Sequence, residues 1–320
     1  MIMCLGAGYA IAAYQAFSAF FIQPFASSSA LMLTSFLVGV PVAAGMLVGF
    51  IGSRSRVAGM AGSSALSMLA IGLYVFAAGA FLREGMICIV MATPLFLVLA
   101  FVGAVIGHWT DSRGGTGGPK LLSVAMVLPY VLAPIEGQLP PSPVTQVVTS
   151  SIYVEASPPV IWHHINFPLD IQPTEMRGSF SYLIGVPYPL DARTLEPRVG
   201  GRRELRWERG IRFKEKITAY EPGVHIAWTY EFGPDSFPPG SLDDHIVIGG
   251  RYFNLDSTSY SLSPEGTGTR LSIEVKTRVD TTFNWYADPW ARYLVRDTAE
   301  TILRFYKARS EHRERHPVAG

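Results

Sequence analysis

Residues 202–220 read RRELRWERGIRFKEKITAY, and their alternation decides the fold of the C-terminal half. Apolar and polar side chains alternate with the period of a half-buried strand. Ile211, Phe213 and Ile217 share one face with Glu215, and Lys214 and Lys216 take the other. Glu208, Arg209 and Gly210 separate Trp207 from Ile211, which fits a three-residue hairpin loop with Gly210 in the left-handed region. That register sets Trp207 opposite Ile211, Leu205 opposite Phe213 and Arg203 opposite Glu215. Glu215 is then an acid on an inward, apolar face, and Arg203 stands where it can neutralise it. A buried carboxylate needs such a partner. Two roles are open to the pair: a polar anchor for a ligand at a cavity wall, or an ion pair that pins the sheet.

Outward from the hairpin, the pattern predicts further strands at Val147–Val154, Val224–Phe232, near His245–Ile248, at Tyr252–Leu262 and at Thr269–Val279. Ser157 and Pro158 suit the first turn of a short helix running through Ile165. Phe167–Pro197 is rich in Pro and Gly and shows little periodicity. The chain closes with a long helix expected to start at Asp288 and Pro289. Its apolar stripe is Trp290, Tyr293, Leu294, Ile302, Phe305 and Tyr306. A sheet must bury one face, and this helix offers the matching stripe. The expected fold class of this half is therefore α+β, a curved antiparallel sheet around a long C-terminal helix.

Three stretches carry a resemblance: SIYVEASPPVIWHHI at residues 151–165, GIRFKEKITAYEPGVHIAWTYEF at 210–232, and the end of the chain from TRLSIEVKTRVD onward. Together they resemble the SRPBCC superfamily, also called START-like or polyketide cyclase/dehydrase and lipid-transport domains, over roughly Val147 to Arg315. The resemblance implies a helix-grip fold with a deep hydrophobic cavity, and it implies no universal catalytic residue. It is similar to the subgroup that carries membrane helices at the N-terminus. Residues expected to line the cavity are Arg203, Leu205, Trp207, Phe213, Glu215, Ile217, Tyr260, Ile273, Trp290 and Leu294.

Upstream, Pro140, Pro141 and Pro143 in EGQLPPSPV mark a semi-rigid spacer. Before it the composition changes. From Met1 to Gly107 the acidic and basic residues are Arg54, Arg56, Arg83 and Glu84. Ile2–Ile22, Leu31–Ile51, Val57–Leu82 and Met86–Ile106 are uncharged and long enough to cross a bilayer core of about 30 Å. Leu121–Ile135 is shorter, holds Pro129 and Pro134, and is expected to be a fifth span, with an interfacial segment as the alternative. The expected organisation is an α-helical multi-pass membrane region over residues 1–136, a linker over 137–146 and a START-like domain over 147–320. Arg54 and Arg56 in one loop, and Arg113 and Lys120 in another, place those loops in the cytoplasm. The soluble domain then lies outside the cytoplasm if residues 121–135 cross, and inside if they do not. Gly45/Gly49 and Gly103/Gly107 suit close helix packing, within the bundle or between copies.

Several classes of chemistry lack their motifs. No G-x-S-x-G elbow, H-E-x-x-H, Walker A or dinucleotide fingerprint is present. The Gly-rich run at 114–118 lacks the Lys-Ser or Lys-Thr of a phosphate loop. His163 and His164 are adjacent on a helix and point apart, and Asp243, Asp244 and His245 fit an exposed turn. No metal and no cofactor is expected. A net charge of +1 with no basic patch gives no case for nucleic acid. The expected partners are the lipid bilayer and a hydrophobic small molecule or lipid. Trp285, Tyr286 and Trp290 suit a ligand mouth, lipid headgroups or ordinary core packing. The function expected is a membrane-anchored binding protein. The alternatives are a cyclase- or dehydratase-like enzyme using Glu215 or Tyr260 as acid or base, and a non-catalytic interaction or sensory protein.

Overall fold

A computed structural model describes residues 1–20, 30–56, 59–82, 84–112, 117–140, 142–242 and 247–315. The chain divides into two compact units, Met1–Ser142 with Thr281–Phe283, and Pro143–Asp280 with Asn284–Gly320.

The first unit is helical. Its long helices are α1 (Ile2–Phe20), α2 (Val40–Arg54), α3 (Met60–Phe81), α4 (Met86–Ser112) and α5 (Gly117–Glu136). Among the described residues, five helices are long and apolar enough to cross a membrane. A π-helical turn, Ser35–Gly39, runs into α2. Pro41 lies at the start of α2 and has no N–H to offer the preceding turn, a common reason for irregular helical winding. The span expected over residues 31–51 is thus a 3-10 turn (Ala30–Met32), this π turn and α2 in series. α4 outlasts its uncharged stretch, running on from Ile106 to Ser112. α5 contains Pro129 and Pro134 and still continues to Glu136. Pro129 packs under Gly39, where an added Cβ would meet its ring at 2.7 Å.

The small residues are used within the chain. A Cβ on Gly45 or Gly49 of α2 would lie 2.2 or 2.1 Å from the carbonyl oxygens of Ala100 and Ala104 on α4. In return, Gly103 and Gly107 of α4 face the carbonyls of Val42 and Met46, each at 2.2 Å from the added Cβ. Only residues without a side chain permit backbones this close, and the close approach maximises dispersion between the helices. Ser67 Oγ adds a bond from α3 to the carbonyl of Ala100 at 2.9 Å.

The second unit is built on one antiparallel sheet of seven strands: β1 (Val144–Val154), β2 (Pro189–Thr194), β3 (Arg202–Trp207), β4 (Arg212–Glu221), β5 (His225–Glu231), β6 (Phe253–Glu265) and β7 (Gly268–Val279). Their order is β1-β7-β6-β5-β4-β3-β2, so the first strand pairs with the last. Register shifts at Pro189/Asp191, Ile217/Ala219 and Leu255/Ser257 bend the strands, as bulges do. The sheet curves as a half-barrel about the C-terminal helix, which is consistent with a helix grip. Between β1 and β2 lie α6 (Pro158–Asn166), a 3-10 turn (Pro173–Met176) and the short α7 (Phe180–Leu183).

α8 (Asn284–Arg315) fills the concave face. Its buried stripe is Val295, Ala299, Leu303, Tyr306 and Ser310, a spacing of three and four that keeps one side of a 3.6-residue helix inward. Val295, Ala299, Leu303 and Tyr306, with Ile161 and Ile165 of α6, share a core with Val148, Ile226, Tyr260, Leu271, Ile273 and Val275 of the sheet.

Four expectations change. α8 begins at Asn284, before Asp288 and Pro289, with Pro289 tolerated in its second turn. Tyr293 leaves the expected stripe and is 49% exposed, because two residues of helix rotate it about 200° from Val295. β2 and α7 form inside the stretch that lacked periodicity, since β2 is a short edge strand whose bulge breaks the alternation. The return near His245–Ile248 reduces to one bridge, Ile248 with Phe253, residues 243–246 lying outside the described residues.

α7 depends on α8 for its first turn. Asp297 accepts hydrogen bonds from Ser179 Oγ (2.6 Å), Ser181 N (2.8 Å) and Phe180 N (3.3 Å). Burial alone would raise the Asp297 carboxyl, but these donors hold it below the usual range. Charge-assisted bonds are the strong ones. Asp297→Ala is therefore expected to cost roughly 2 kcal/mol and to speed amide exchange at Phe180 and Ser181, read by urea unfolding and hydrogen exchange.

Candidate ligand-binding site

The hairpin at 202–220 places the charged pair. Backbone pairing sets Arg203 against Glu215 and Leu205 against Phe213, and Trp207 N donates to the Ile211 carbonyl at 2.9 Å. The turn is tighter than expected, with Arg209 (φ 56°) and Gly210 (φ 77°) both left-handed. Such a turn matches the twist of the strands it joins.

Residues directly opposite across strands share a face. Thr194, Arg203, Glu215 and Tyr230 therefore form one row across β2 to β5. Ile217, Trp228, Thr258, Val275 and Val148 form the next across β4 to β1. Ile226, Tyr260 and Ile273 form the row beyond. All three rows point to the side that α8 covers, and the ion pair sits among aromatic and aliphatic groups.

Arg203 and Glu215 are 2% and 1% exposed. Arg203 Nη1 lies 3.4 Å from Glu215 Oε2, an ion-pair distance too long for a good hydrogen bond. Arg203 Nη2 donates to the Ile165 carbonyl at 3.0 Å, and the guanidinium stacks over Trp228 with Cζ 3.9 Å from the ring centre. Arg203 Nε and Nη1, Trp228 Nε1 and Glu215 Oε2 are buried without closing a hydrogen bond.

Burial pushes the Glu215 carboxyl up to about 7, although Arg203 and the Trp228 indole both pull it down. Loss of water outweighs the attraction because the pair closes no good hydrogen bond and both groups are buried. Burial likewise raises Tyr182, Tyr230 and Tyr260, and pushes Tyr306 up to about 12. These tyrosines stay neutral at physiological pH. Tyr230 shares a 2.6 Å hydrogen bond with Thr258, and Tyr260 meets Tyr306 edge-on at 5.6 Å between ring centres.

The residues expected to line a cavity separate into three groups. Arg203, Glu215, Ile217, Tyr260 and Ile273 lie on the inner face near the pair. Leu205 and Phe213 belong to a distinct aromatic cluster with Trp207, Tyr230, Phe232 and Phe237. Trp290 and Leu294 are half-buried on α8. Trp290 packs on Tyr293, and the Leu294 carbonyl accepts from Ser181 Oγ at 3.1 Å. Trp285 is exposed. Sequence reasoning missed Trp228, Tyr230 and Tyr306. Alternation along IAWTYE does put Ile226, Trp228 and Tyr230 on one face, but only the register shows that this face meets Arg203 and Glu215. His163 and His164 stand with ring centres 5.7 Å apart. Among the described residues no three His, Cys, Asp or Glu gather into a metal-binding group.

No family model matches the sequence, and no curated protein matches it. Solved structures do. A START superfamily protein from Mycobacterium smegmatis is 16% identical with a TM-score of 0.34, over 52% of this chain and 97% of its own. A protein from Thermus thermophilus is 15% identical with a TM-score of 0.31, over 52% and 97%. One from Mesorhizobium loti is 16% identical with a TM-score of 0.26, over 49% and 96%. At these scores the likenesses carry no functional argument. The fold and site themselves define the class: a helix-grip domain joined in one chain to five long apolar helices.

Proposed function

We propose that this chain is a membrane-anchored protein whose C-terminal domain holds a hydrophobic ligand between the inner face of the sheet and α8, with Arg203, Glu215 and Trp228 as its polar anchor. The observation that carries this reading is the buried pair with unmet hydrogen-bonding capacity. A pair that only pinned the sheet gains most from contact and full satisfaction. Here Arg203 Nε and Nη1, Trp228 Nε1 and Glu215 Oε2 close no hydrogen bond amid apolar side chains. Ligand sites are apolar with a few convergent polar groups. Five helices long and apolar enough to cross a membrane would keep such a site near lipid.

Mass spectrometry of organic extracts tests this on the purified full chain, with a Trp228→Ala chain as comparison. The expected result is one near-stoichiometric species in the wild type, depleted at least tenfold, by this reading, in the variant. Identical lipid profiles in both would remove the reading. A second reading keeps one observation of its own: a buried carboxyl raised to about 7 suits general acid–base chemistry. A product that accumulates with the wild type and not with Glu215→Gln would favour that enzyme.

A further inference from the structure

The anchor has an imbalance of donors over acceptors. Arg203 uses Nη2 on the Ile165 carbonyl, while its Nε and Nη1 close no hydrogen bond. Trp228 Nε1 is a third donor in the same state, and Glu215 Oε2 is the acceptor left over. Arg203, Glu215 and Trp228 are each more than nine-tenths buried. An orphaned buried polar group costs about 1–3 kcal/mol. A ligand group that supplied acceptors here would recover that cost. A ligand that supplied donors would find one oxygen.

Charge narrows the head group further. With Glu215 ionised, the Arg203–Glu215 pair is neutral, and an added anion would leave one net negative charge in a desolvated site. With Glu215 protonated, Arg203 is a buried cation without a counter-ion, and an added anion restores neutrality. Among the described residues, the charged group facing Glu215 is Arg203 on β3. The other titratable groups around it are the phenols of Tyr230 on β5, Tyr260 on β6 and Tyr306 on α8, which burial keeps neutral. Arg309, farther along α8, acts on Tyr306. None of these takes or gives a charge near neutral pH, which leaves Glu215 as the group that adjusts.

We propose that the ligand is an amphiphile with an acidic head, bound as its anion to Arg203 and the Trp228 N–H while Glu215 takes up one proton from solvent. This rests on the hydrophobic-ligand reading above and names the class of ligand. Glu215 starts near pH 7 in the free protein, so a modest further rise on anion binding puts the coupling in the physiological range.

The test uses the full chain in phosphatidylcholine nanodiscs, with empty nanodiscs as blank, titrated calorimetrically with decanoate and with decanol. Two buffers of different ionisation enthalpy count the protons. Decanoate is expected to bind at least tenfold more tightly than decanol at pH 7. Its affinity is expected to fall about tenfold per pH unit above 7 while proton uptake approaches one per ligand. Glu215→Gln is expected to bind decanoate without proton uptake and without that pH dependence. Equal affinities for acid and alcohol, or no proton uptake by the wild type at pH 8, would overturn the inference. Binding of decanol alone would overturn it and leave the hydrophobic-ligand reading standing. Binding of neither would overturn both.

Discussion

An Arg203→Met chain is expected to lose about 1.4 kcal/mol of stability at pH 8 through charge alone, because without its partner Glu215 must stay protonated one pH unit above its folded value of about 7. The loss should shrink toward zero near pH 5.5. Glu215 titrates at about 7 in the folded protein, against an ordinary value of 4.5. Between those values the folded state binds more protons than the unfolded one, so stability falls as pH rises through the folded value. Without Arg203, whose charge now opposes the effect of burial, the carboxyl rises further and the fall continues above pH 7. At pH 5.5 Glu215 is mainly protonated with or without Arg203, and the variant then lacks a buried cation that had no counter-ion. Arg203→Met combined with Glu215→Gln is expected to recover most of the stability lost at pH 8, since neither charge remains. Urea unfolding followed by tryptophan fluorescence at both pH values checks this. A loss of equal size at pH 5.5 and pH 8 would mean that packing, and not charge, is what Arg203 contributes.

A Gly49→Leu chain is expected to lose its helical unit. A single Cβ at this position would lie 2.1 Å from the Ala104 carbonyl oxygen and 2.8 Å from Ala104 Cα. Overpacking costs about 1–3 kcal/mol where side chains can yield. Here the obstacle is backbone, and α2 and α4 interlock through glycines on both sides. Relief at one position pulls Gly45, Gly103 and Gly107 out of contact with Ala100, Val42 and Met46. We expect a cost above roughly 3 kcal/mol, with little monodisperse helical protein recovered in detergent. Gly72→Ala is the control: it meets nothing within 4 Å, and alanine favours a helix by about 0.5–1 kcal/mol. Size-exclusion profiles and SDS-induced unfolding distinguish the two variants. A well-folded Gly49→Leu chain would show that α2 and α4 are not locked at this contact.

Much of this was legible in the amino-acid order, because the signals were local. Helix length and the exclusion of charge are read residue by residue, so the first four apolar runs largely overlap the described helices. The register of the 202–220 hairpin follows from a short loop and a period of two, so the opposition of Arg203 to Glu215 follows from the order of residues alone. Local signals fail where neighbours decide. β2 forms because β3 offers its edge, and the intrinsic preference of PLDART contributes little. Pro289 enters α8 although proline more often opens a helix, and α7 is capped by Asp297, which lies more than a hundred residues away. Among the candidate residues, side-chain clustering divides those near the pair from Leu205, Trp207 and Phe213, which alternation alone placed on the same inward face.

By itself, then, the sequence determined most of the elements (though not β2 or α7), which half is apolar, and that an acid and an arginine meet across one hairpin. Those are matters of chain solvation and backbone period, and they act over a few residues. Tertiary structure alone decided what surrounds the pair. It brought Trp228 from two strands away beneath the guanidinium, Tyr306 from the last helix toward it and the Ile165 carbonyl onto its edge, yet left two of its nitrogens without a closed hydrogen bond. How much water the carboxylate loses depends on all of those neighbours together. That sum, and not the residue type, moves Glu215 into the range where one proton can answer one ligand charge.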